Sequence, residues 1–251
     1  MNQSVIKALK LLDLFTAETP ELALRDIADQ ANMPKPTVYR LLTALESLDY
    51  IHKVGDTGNY RLGLKLLELG RLVSDQLEVR TVAFPFMQQL AMKINEAVHL
   101  VIANQNQATY IEKVDSNQAL RLFTKVGKSS PLHIGSGPKL LFAFMSAEKQ
   151  IEIMRHLMSA GQGQKSFLKE DELFDQLQKI RDTGYAYSIG EQDEDTTGIS
   201  YPIYDFRNHV VASLTVSGLS SHFIGKNLEF IKRETQRTAI MISKKLGYTR
   251  D

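Results

Sequence analysis

The sequence of 251 residues contains no cysteine and no tryptophan. Without cysteine, the chain cannot form a disulfide, bind zinc through a thiolate or use a cysteine nucleophile. No segment approaches the roughly 18 consecutive apolar residues of a membrane-spanning helix. The apolar run near the N-terminus carries Asp13 and lacks a small-residue cleavage site, so it is a poor signal peptide. We therefore expect a cytoplasmic protein that has no membrane partner.

An excess of positive charge is also missing. The net charge is +1, and the first 80 residues contain 10 Lys and Arg against 11 Asp and Glu. Domains that bind nucleic acid are often basic overall. A DNA-binding role must therefore depend on where the basic side chains lie, because their total number does not indicate it.

Common catalytic and metal-binding motifs are lacking as well. The glycine-rich segment 135–139 is not a G-x-x-x-x-G-K-[ST] phosphate loop, and Ser136 is not the serine of a G-x-S-x-G nucleophile elbow. The histidines are scattered, without an H-E-x-x-H pairing. We expect no enzymatic activity, no cofactor and no metal. A metal site made from His209 or His222 and the acidic segment 191–195 remains an alternative.

What the sequence does contain begins with a pattern over residues 1–63 that is typical of a winged helix-turn-helix. Apolar residues recur at helical spacing three times, and a hairpin with a glycine-bounded turn follows. The predicted elements are helices at 3–16, 24–31 and 35–48 and strands at 50–54 and 59–62. Three helices followed by a hairpin predict a DNA-binding domain, although some winged helices make only protein contacts.

The third predicted helix carries the candidate DNA-reading residues. Its apolar stripe predicts one buried face, so the polar residues near its N-terminus face outward. Arg40 can contact the edge of a guanine at two points, and Lys35 with the first-turn N–H groups suits a phosphate. Thr37 and Tyr39 can reach a phosphate or a thymine methyl. The predicted DNA-binding residues are Lys35, Pro36, Thr37, Tyr39, Arg40 and Thr43 on the helix, with Lys53 and Arg61 on the hairpin.

The rest of the chain predicts a linker helix at residues 64–80 and a second domain at residues 81–251. A helical pattern from Leu64 to Asn95 is interrupted by a polar stretch at 75–80 and by Pro85. The further predicted strands are 98–104, 107–114, 120–125, 185–189, 199–204 and 210–217, and the helices are 138–146, 147–159, 170–183 and 226–246. Mixed elements with short connections predict an α+β fold: a winged helix-turn-helix followed by a mixed α/β domain with an antiparallel sheet.

Several ordered motifs resemble those of the IclR-type transcriptional regulators. They are MPKPTVYRLL at 33–42, YRLG at 60–63, PLHIGSGPK at 131–139, GISYPI at 198–203 and VVASLTVSG at 210–218. The similarity extends over essentially the whole chain, and the ordered set of motifs is specific. The resemblance implies a winged-helix repressor or activator that acts as a dimer or tetramer on palindromic operators. It also implies that the second domain binds a small organic acid or an aromatic effector.

The resemblance places the effector beside the helix that starts near Pro138, with Ser136 or Gly137 as its cap. A helix start has unpaired N–H groups and partial positive charge, so the N–H groups of Ser136, Gly137 and Lys139 can bind a carboxylate. The same sequence is also compatible with an ordinary helix cap that binds no ligand.

Residues further along the chain complete the predicted site. Thr215 and Ser217 alternate with apolar residues on a strand, so their hydroxyls share one face. Glu191 can accept a hydroxyl from a hydroxy acid or sugar acid, and Leu122 and Tyr201 can supply an apolar wall. The predicted effector-binding residues are Leu122, Ser136, Gly137, Glu191, Tyr201, Thr215 and Ser217. The alternative function is a small-molecule sensor or an enzyme that uses its winged helix only to dimerise.

Overall fold

The computed structural model describes residues 2–16, 18–75, 78–117, 124–159 and 170–249. The chain folds into two compact units, Met1–Gln76 and Leu77–Asp251. No helix among the described residues is both long enough and apolar enough to cross a membrane. The predicted strand at 120–125 lies mostly outside the described residues, and the assignment of residues 64–80 to a linker remains a prediction.

The first unit is a winged helix-turn-helix. Its described elements are α1 (Gln3–Leu12), β1 (Glu21–Ala23), α2 (Leu24–Ala31), α3 (Lys35–Glu46), β2 (Ile51–Val54), β3 (Asn59–Leu62) and α4 (Leu64–Asp75). The strands form an antiparallel sheet in the order β1-β3-β2. The fold predicted from residues 1–63 is thus confirmed.

The position of α3 follows from its apolar spacing and from the turn before it. Val38, Leu42 and Leu45 form its buried face and join a core built by α1, α2 and the sheet. Asn32 ends α2 in the left-handed conformation, with φ of 50°, which Asn tolerates better than most residues. Pro34 then caps the start of α3 with φ of −59°, so the chain reverses within a few residues.

The second unit is built around a six-stranded sheet. Its described elements are α5 (Glu78–Ile94), β4 (Ala97–Asn104), β5 (Gln107–Val114), β6 (Ser129–Pro131), α6 (Ser136–Ala143), α7 (Ala147–Ser159), α8 (Glu170–Thr183), β7 (Ala186–Ile189), β8 (Thr196–Tyr204), β9 (Val210–Leu219) and α9 (Gly225–Lys245). The strand order is β6-β5-β4-β9-β8-β7, and every neighbouring pair is antiparallel. The predicted α+β class and antiparallel sheet are confirmed.

The sheet separates two hydrophobic cores. One core lies against α5 and α9 and takes alternate residues of the central strands, such as Leu214 and Val216 of β9. The other core contains α6, α7 and α8. Because side chains alternate along a strand, Ser213 and Thr215 of β9 face the α6 side. This alternation decides which predicted residues can meet in one site.

The structure differs from the sequence predictions in several places. Strands β1 and β6 were not predicted; each has only three residues, too few to display alternation. The first predicted helix ends at Leu12 instead of residue 16. Pro85 lies inside α5 and does not interrupt it, because α5 packs against β4, β5 and α9. Helix α6 begins at Ser136, with Gly135 as its cap, two residues earlier than predicted.

Candidate functional site

The outward face of α3 presents a set of polar side chains. Val38 and Leu42 are fully buried, and Lys35 and Arg40 are consequently exposed on the opposite side. Tyr39 is 53% exposed, and Thr37 is half-buried. The predicted residues on this helix that are exposed are Lys35, Pro36, Tyr39, Arg40 and Thr43. This face can therefore enter a groove without unfolding the unit.

Local hydrogen bonds modify the role of two positions on α3. The Thr43 hydroxyl donates to the backbone oxygen of Tyr39 at 2.9 Å, so its proton is already engaged within the helix. The N–H groups of Thr37 and Val38 both donate to the Pro34 oxygen. No side chain caps this helix start among the described residues. The partial positive charge of the helix start, together with the adjacent Lys35, therefore suits a phosphate.

The two basic residues of the hairpin lie on opposite faces of the small sheet. Arg61 pairs across the strands with His52 and with Glu21, whereas Lys53 pairs with Tyr60, whose ring is in the core. Both basic side chains are exposed. The sequence grouped them as equivalent, but strand alternation separates them, and Arg61 has a carboxylate-bearing neighbour.

In the second unit, α6 lies against the sheet, with all eight of its residues buried. Two glycines allow this close approach. A Cβ on Gly137 would lie 2.6 Å from Thr215 Oγ1, and one on Gly198 would lie 2.6 Å from Ser136 Oγ. Both distances are far below van der Waals contact, so the helix can lie this close only with hydrogen at these positions.

Buried hydroxyls bridge α6 and the sheet. Ser200 Oγ lies 2.8 Å from Ser136 Oγ and 2.8 Å from Thr215 Oγ1, and Thr215 also lies 3.1 Å from Ser213 Oγ. The Ser136 N–H donates to Ser188 Oγ at 3.0 Å. The predicted residues Ser136 and Thr215 thus meet through Ser200, and the hydroxyls satisfy one another as buried polar groups usually do.

A buried histidine stands beside this cluster. His99 on β4 is 1% exposed, and its Nε2 lies 2.9 Å from the hydroxyl of the predicted residue Ser217. Its other nitrogen, Nδ1, has no hydrogen-bond partner in the described structure. Burial lowers the pKa of His99 to about 3, with nearby Lys113 acting in the same direction, so the ring is neutral at pH 7. Tyr110 packs edge-on to this ring at 5.7 Å, and burial raises its pKa.

The start of α6 already holds a carboxylate that belongs to the protein. Glu191 accepts from the N–H of Gly135 through Oε2 at 2.8 Å and from Lys139 Nζ through Oε1 at 2.5 Å. Lys139 is only 3% exposed, and its ammonium also donates to Gln176 at 3.2 Å. Both oxygens of Glu191 thus accept hydrogen bonds within the protein, and its role as an acceptor for an effector hydroxyl stays a prediction.

The predicted carboxylate site made from the N–H groups of Ser136, Gly137 and Lys139 needs correction. The Ser136 N–H is bonded to Ser188, and the Lys139 N–H donates to the Gly135 oxygen at 3.1 Å. Pro138 has no N–H to offer. Among the described first-turn residues, Gly137 is left as the backbone donor for a ligand.

One predicted wall residue, Tyr201, does not line this site. Tyr201 lies on the opposite face of the sheet, stacked on Tyr185 with ring centroids 5.6 Å apart, because it alternates with Ser200 along β8. Leu122 lies outside the described residues. The cavity at the start of α6 has a volume of about 30 Å³, enough for a water molecule but not for an organic acid.

Several site residues escaped the sequence analysis. They are His99, Tyr110, Lys139 as a side chain, Ser188, Gln192 and Ser200. A polar residue inside an apolar strand, such as His99 between Val98 and Leu100, was a usable signal. Gln192, which bonds to the Tyr110 hydroxyl at 2.9 Å, gave none because it lies in an acidic, loop-like segment.

The alternative metal site has no support in the geometry. His222 Nδ1 lies 2.8 Å from Glu96 Oε1, and the backbone N–H of His209 donates to Asp205. Within the described residues, no group of three or more potential ligands is arranged to hold a metal ion.

Comparison with known proteins identifies the family. Residues 4–55 match the IclR helix-turn-helix domain, and residues 72–244 match the bacterial transcriptional regulator IclR C-terminal domain. The chain is 32% identical to the HTH-type transcriptional regulator KipR of Bacillus subtilis (strain 168), over 99% of this chain and 98% of the relative. It is 27% identical to the HTH-type transcriptional repressor AllR of Escherichia coli (strain K12), over 98% of this chain and 90% of the relative.

A solved structure has the same fold. An IclR homologue from Microbacterium hydrocarbonoxydans, complexed with 4-hydroxybenzoate, superposes with a TM-score of 0.81 at 21% identity, over 97% of this chain and 99% of that one. The relatives are transcriptional regulators and not enzymes. With both domain types present in order, the chain belongs to the IclR family of DNA-binding bacterial transcriptional regulators.

Proposed function

We propose that this regulator is a cytoplasmic repressor whose binding to a palindromic operator is controlled by a small organic acid or aromatic effector. The observation that carries the DNA-binding part is the exposed polar face of α3. The name of the related repressor AllR supports the negative sign of regulation.

In this proposal, the N-terminal half of α3 lies in the major groove. Arg40 reads a guanine through two hydrogen bonds, while Lys35 and the uncapped helix start hold a phosphate. Thr37 and Tyr39 contact phosphate or a thymine methyl. The remaining assigned positions are Pro36 and Thr43 on the helix rim and Lys53 and Arg61 on the hairpin.

The proposed effector site is at the start of α6, where Glu191 lines both the small cavity and an open cleft of about 380 Å³ that reaches Lys139. Its buried hydroxyls, the neutral His99 and the Lys139 ammonium offer donors and acceptors to a polar acid. The assigned ligand-contacting residues are Ser136, Gly137, Thr215 and Ser217, with Glu191 beside them, and the sequence-based assignment of Leu122 stays a prediction. The 4-hydroxybenzoate bound to the Microbacterium relative supports an acid with an aromatic or hydroxylated body.

Dimerisation is part of the proposal, because a palindrome presents two equal half-sites. Exposed apolar side chains on α1 and α4 support an interface there. They are Val5 and Leu9, each 52% exposed, with Leu64 at 75%, Leu67 at 71% and Leu72 at 54%. A dimer through residues 64–80, alone or paired into a tetramer by residues 81–251, would set two recognition helices ~34 Å apart.

The decisive experiment replaces Arg40 by alanine. A gel shift on the operator should show an affinity lower by about 1–3 kcal/mol and a relaxed base preference at one position in each half-site. Arg155→Ala, which removes the same charge from an exposed position on α7, is the matched control and should bind normally. Unchanged affinity and preference in Arg40→Ala would remove this residue from base reading.

A second candidate function is a sensor or enzyme whose winged helix serves only dimerisation. The balanced charge of the first 80 residues favours it. A salt titration separates the two functions, since phosphate contacts release counterions and make affinity fall steeply with salt. The absence of any salt-dependent DNA binding would support the second function.

A further inference from the structure

An anion-binding position at the start of α6 is occupied by the protein itself. A carboxylate at the start of α6 meets a backbone N–H, a buried ammonium and the partial positive charge of a helix N-terminus. Glu191 fills this position with both of its oxygens. An incoming acid therefore finds its binding position taken by a side chain of the same chemistry.

Glu191 is attached in a way that permits it to leave. Its side chain is 30% exposed, while the side chain of its partner Lys139 is 4% exposed. It belongs to the exposed loop 190–195 between β7 and β8, which is flanked by the left-handed residues Gly190 (φ of 64°) and Asp195 (φ of 53°). The N–H of Gly190 donates to the Thr196 oxygen at 2.8 Å, so the loop is closed at its base. Gln192 in the same loop donates to the Tyr110 hydroxyl at 2.9 Å, so movement of the loop as a flap must also break this contact.

The same side chain separates two spaces. Inside lies the cavity of about 30 Å³ with the hydroxyl cluster and His99. Outside lies an open cleft of about 380 Å³, lined by Lys139, Gln176, Lys179, Tyr185, Tyr187 and Glu191. Glu191 lines both. Movement of Glu191 would join the inner cavity to a space large enough for an organic acid, with Lys139 at the boundary.

The positive charge of Lys139 determines which class of ligand can replace Glu191. Removing Glu191 without replacement would leave the buried Lys139 ammonium without a counter-charge and with the neutral Gln176 side chain as a remaining partner, which is strongly unfavourable. A carboxylate ligand restores the pair, whereas a neutral or cationic ligand does not. Inside the cavity, the unpaired Nδ1 of His99, a neutral ring with 1% exposure, is available for a polar group on the ligand body.

We propose that the effector is a carboxylate that exchanges with Glu191 at Lys139 and Gly135, and that this exchange releases the β7–β8 loop. Glu191 is thus an internal competitor that sets both the ligand class and the affinity of the site. The inference rests on the proposed effector function and adds the ligand chemistry and the residue that resists binding.

The test compares benzoate and acetate with their neutral analogues benzamide and acetamide, by isothermal titration at constant ionic strength. Glu191→Gln removes the competing charge and leaves Lys139 without its anion. Both acids should bind at least ten-fold more tightly to Glu191→Gln than to the unmodified protein, and the amides should gain nothing. Glu194→Gln, in the same exposed loop, removes the same charge without touching Lys139 and should leave all affinities unchanged.

A second, more conservative variant keeps the proposal testable if Glu191→Gln does not fold. Glu191→Asp keeps the charge but shortens the side chain by one methylene, so it should bind the acids with intermediate affinity. Adding Lys139→Gln to Glu191→Gln should abolish the gain, because the cation that holds the carboxylate is then missing.

Three results would overturn the exchange. They are equal acid affinity in Glu191→Gln and the unmodified protein, weaker acid binding in Glu191→Gln, and an equal gain for the amides.

A gel shift separates this proposal from the regulatory one. If acids alter operator binding but Glu191→Gln binds them no better, only the exchange fails. If the affinity gain is found but no acid alters DNA binding, the exchange stands and the regulatory proposal fails.

Discussion

At the scale of single residues, His99 shows how a buried polar group can be both a structural liability and a binding element. Its ring is almost inaccessible and bonds to Ser217 on one side only. Burial favours the neutral ring, since a charged imidazolium would lose its hydration. The His99 ring should therefore make a measurable contribution to the pH dependence of the free energy of unfolding.

The folded-state pKa of His99, about 3, lies below the value of about 6.5 expected for an unfolded chain. Between these pH values the unfolded chain binds a proton that the folded protein does not. The free energy of unfolding is therefore unaffected by this group above pH 6.5 and decreases as the pH falls below it. The expected slope is about 1.4 kcal/mol per pH unit for this one group. His99→Gln should flatten the pH dependence of the urea midpoint between pH 6.5 and 4.5.

The exposed residue His156 provides the comparison for that experiment. His156→Gln should retain the steep pH dependence of the unmodified protein. His133, which is also buried and has its pKa lowered by burial, contributes a slope of the same sign that remains in both variants. An unaltered slope in His99→Gln would show that other groups carry the acid sensitivity.

At the scale of elements, the contact between α6 and the sheet depends on glycine. Gly137 meets β9 and Gly198 of β8 meets Ser136, each where a methyl group would overlap an oxygen. Helix α8 packs on α6, and α7 contributes to the same hydrophobic core. Helix α6 therefore has little room to adjust to a larger side chain.

We expect Gly137→Ala to destabilise the protein by about 1–3 kcal/mol, because its new Cβ would overlap Thr215. Gly70→Ala is the opposite case, since Gly70 lies inside α4 with no atom within 4 Å of its added Cβ. That change should stabilise the protein by about 0.5–1 kcal/mol, because alanine loses less backbone entropy in a helix. Thermal unfolding measures both. A shift of Gly137→Ala toward higher stability would contradict the close packing.

The sequence predicts elements better than it predicts the site, for a physical reason. Helix α3 carries a periodic apolar pattern, and strands β4 and β5 flank a short polar turn at 105–106, so their positions follow from local sequence. The cavity depends on which face of β8 meets α6, and this is decided by tertiary pairing. Tyr201 and Ser200 are adjacent in sequence, yet only Ser200 reaches the site. The bonds of Glu191 to Gly135 and Lys139 span more than 50 residues and leave no local pattern.

At the scale of the whole molecule, the first unit combines a balanced charge with an exposed apolar surface. Its DNA affinity must come from a few well-placed cations, since 10 basic residues face 11 acidic ones over the first 80 positions. Two units joined in a dimer double the number of such contacts on one operator. We therefore expect affinity to depend on dimerisation as strongly as on any single contact.

Leu67→Glu tests this dependence. Leu67 is 71% exposed, so the change should alter the stability of the monomer by less than about 0.5 kcal/mol. It should shift the protein toward monomer in sedimentation velocity and weaken operator binding in the same concentration range. Val126→Glu, at a 54% exposed turn of the second unit, is the comparison and should remain associated. If the Leu67→Glu variant remained fully dimeric, the dimer interface would not lie on α4.

The glycine contact between α6 and the sheet also limits the shape of the molecules that the proposed effector site can accept. The spacing between helix and strands is fixed by hydrogen atoms at Gly137 and Gly198, so the cavity cannot grow thicker without loss of this packing. It can grow longer, because its outer end is bounded by an exposed loop. Substitutions in residues 190–195 alone should therefore change the preferred length of flat or unbranched ligands in the proposed site. Bulky, branched ligands are excluded because the backbones of α6 and the sheet lie too close together.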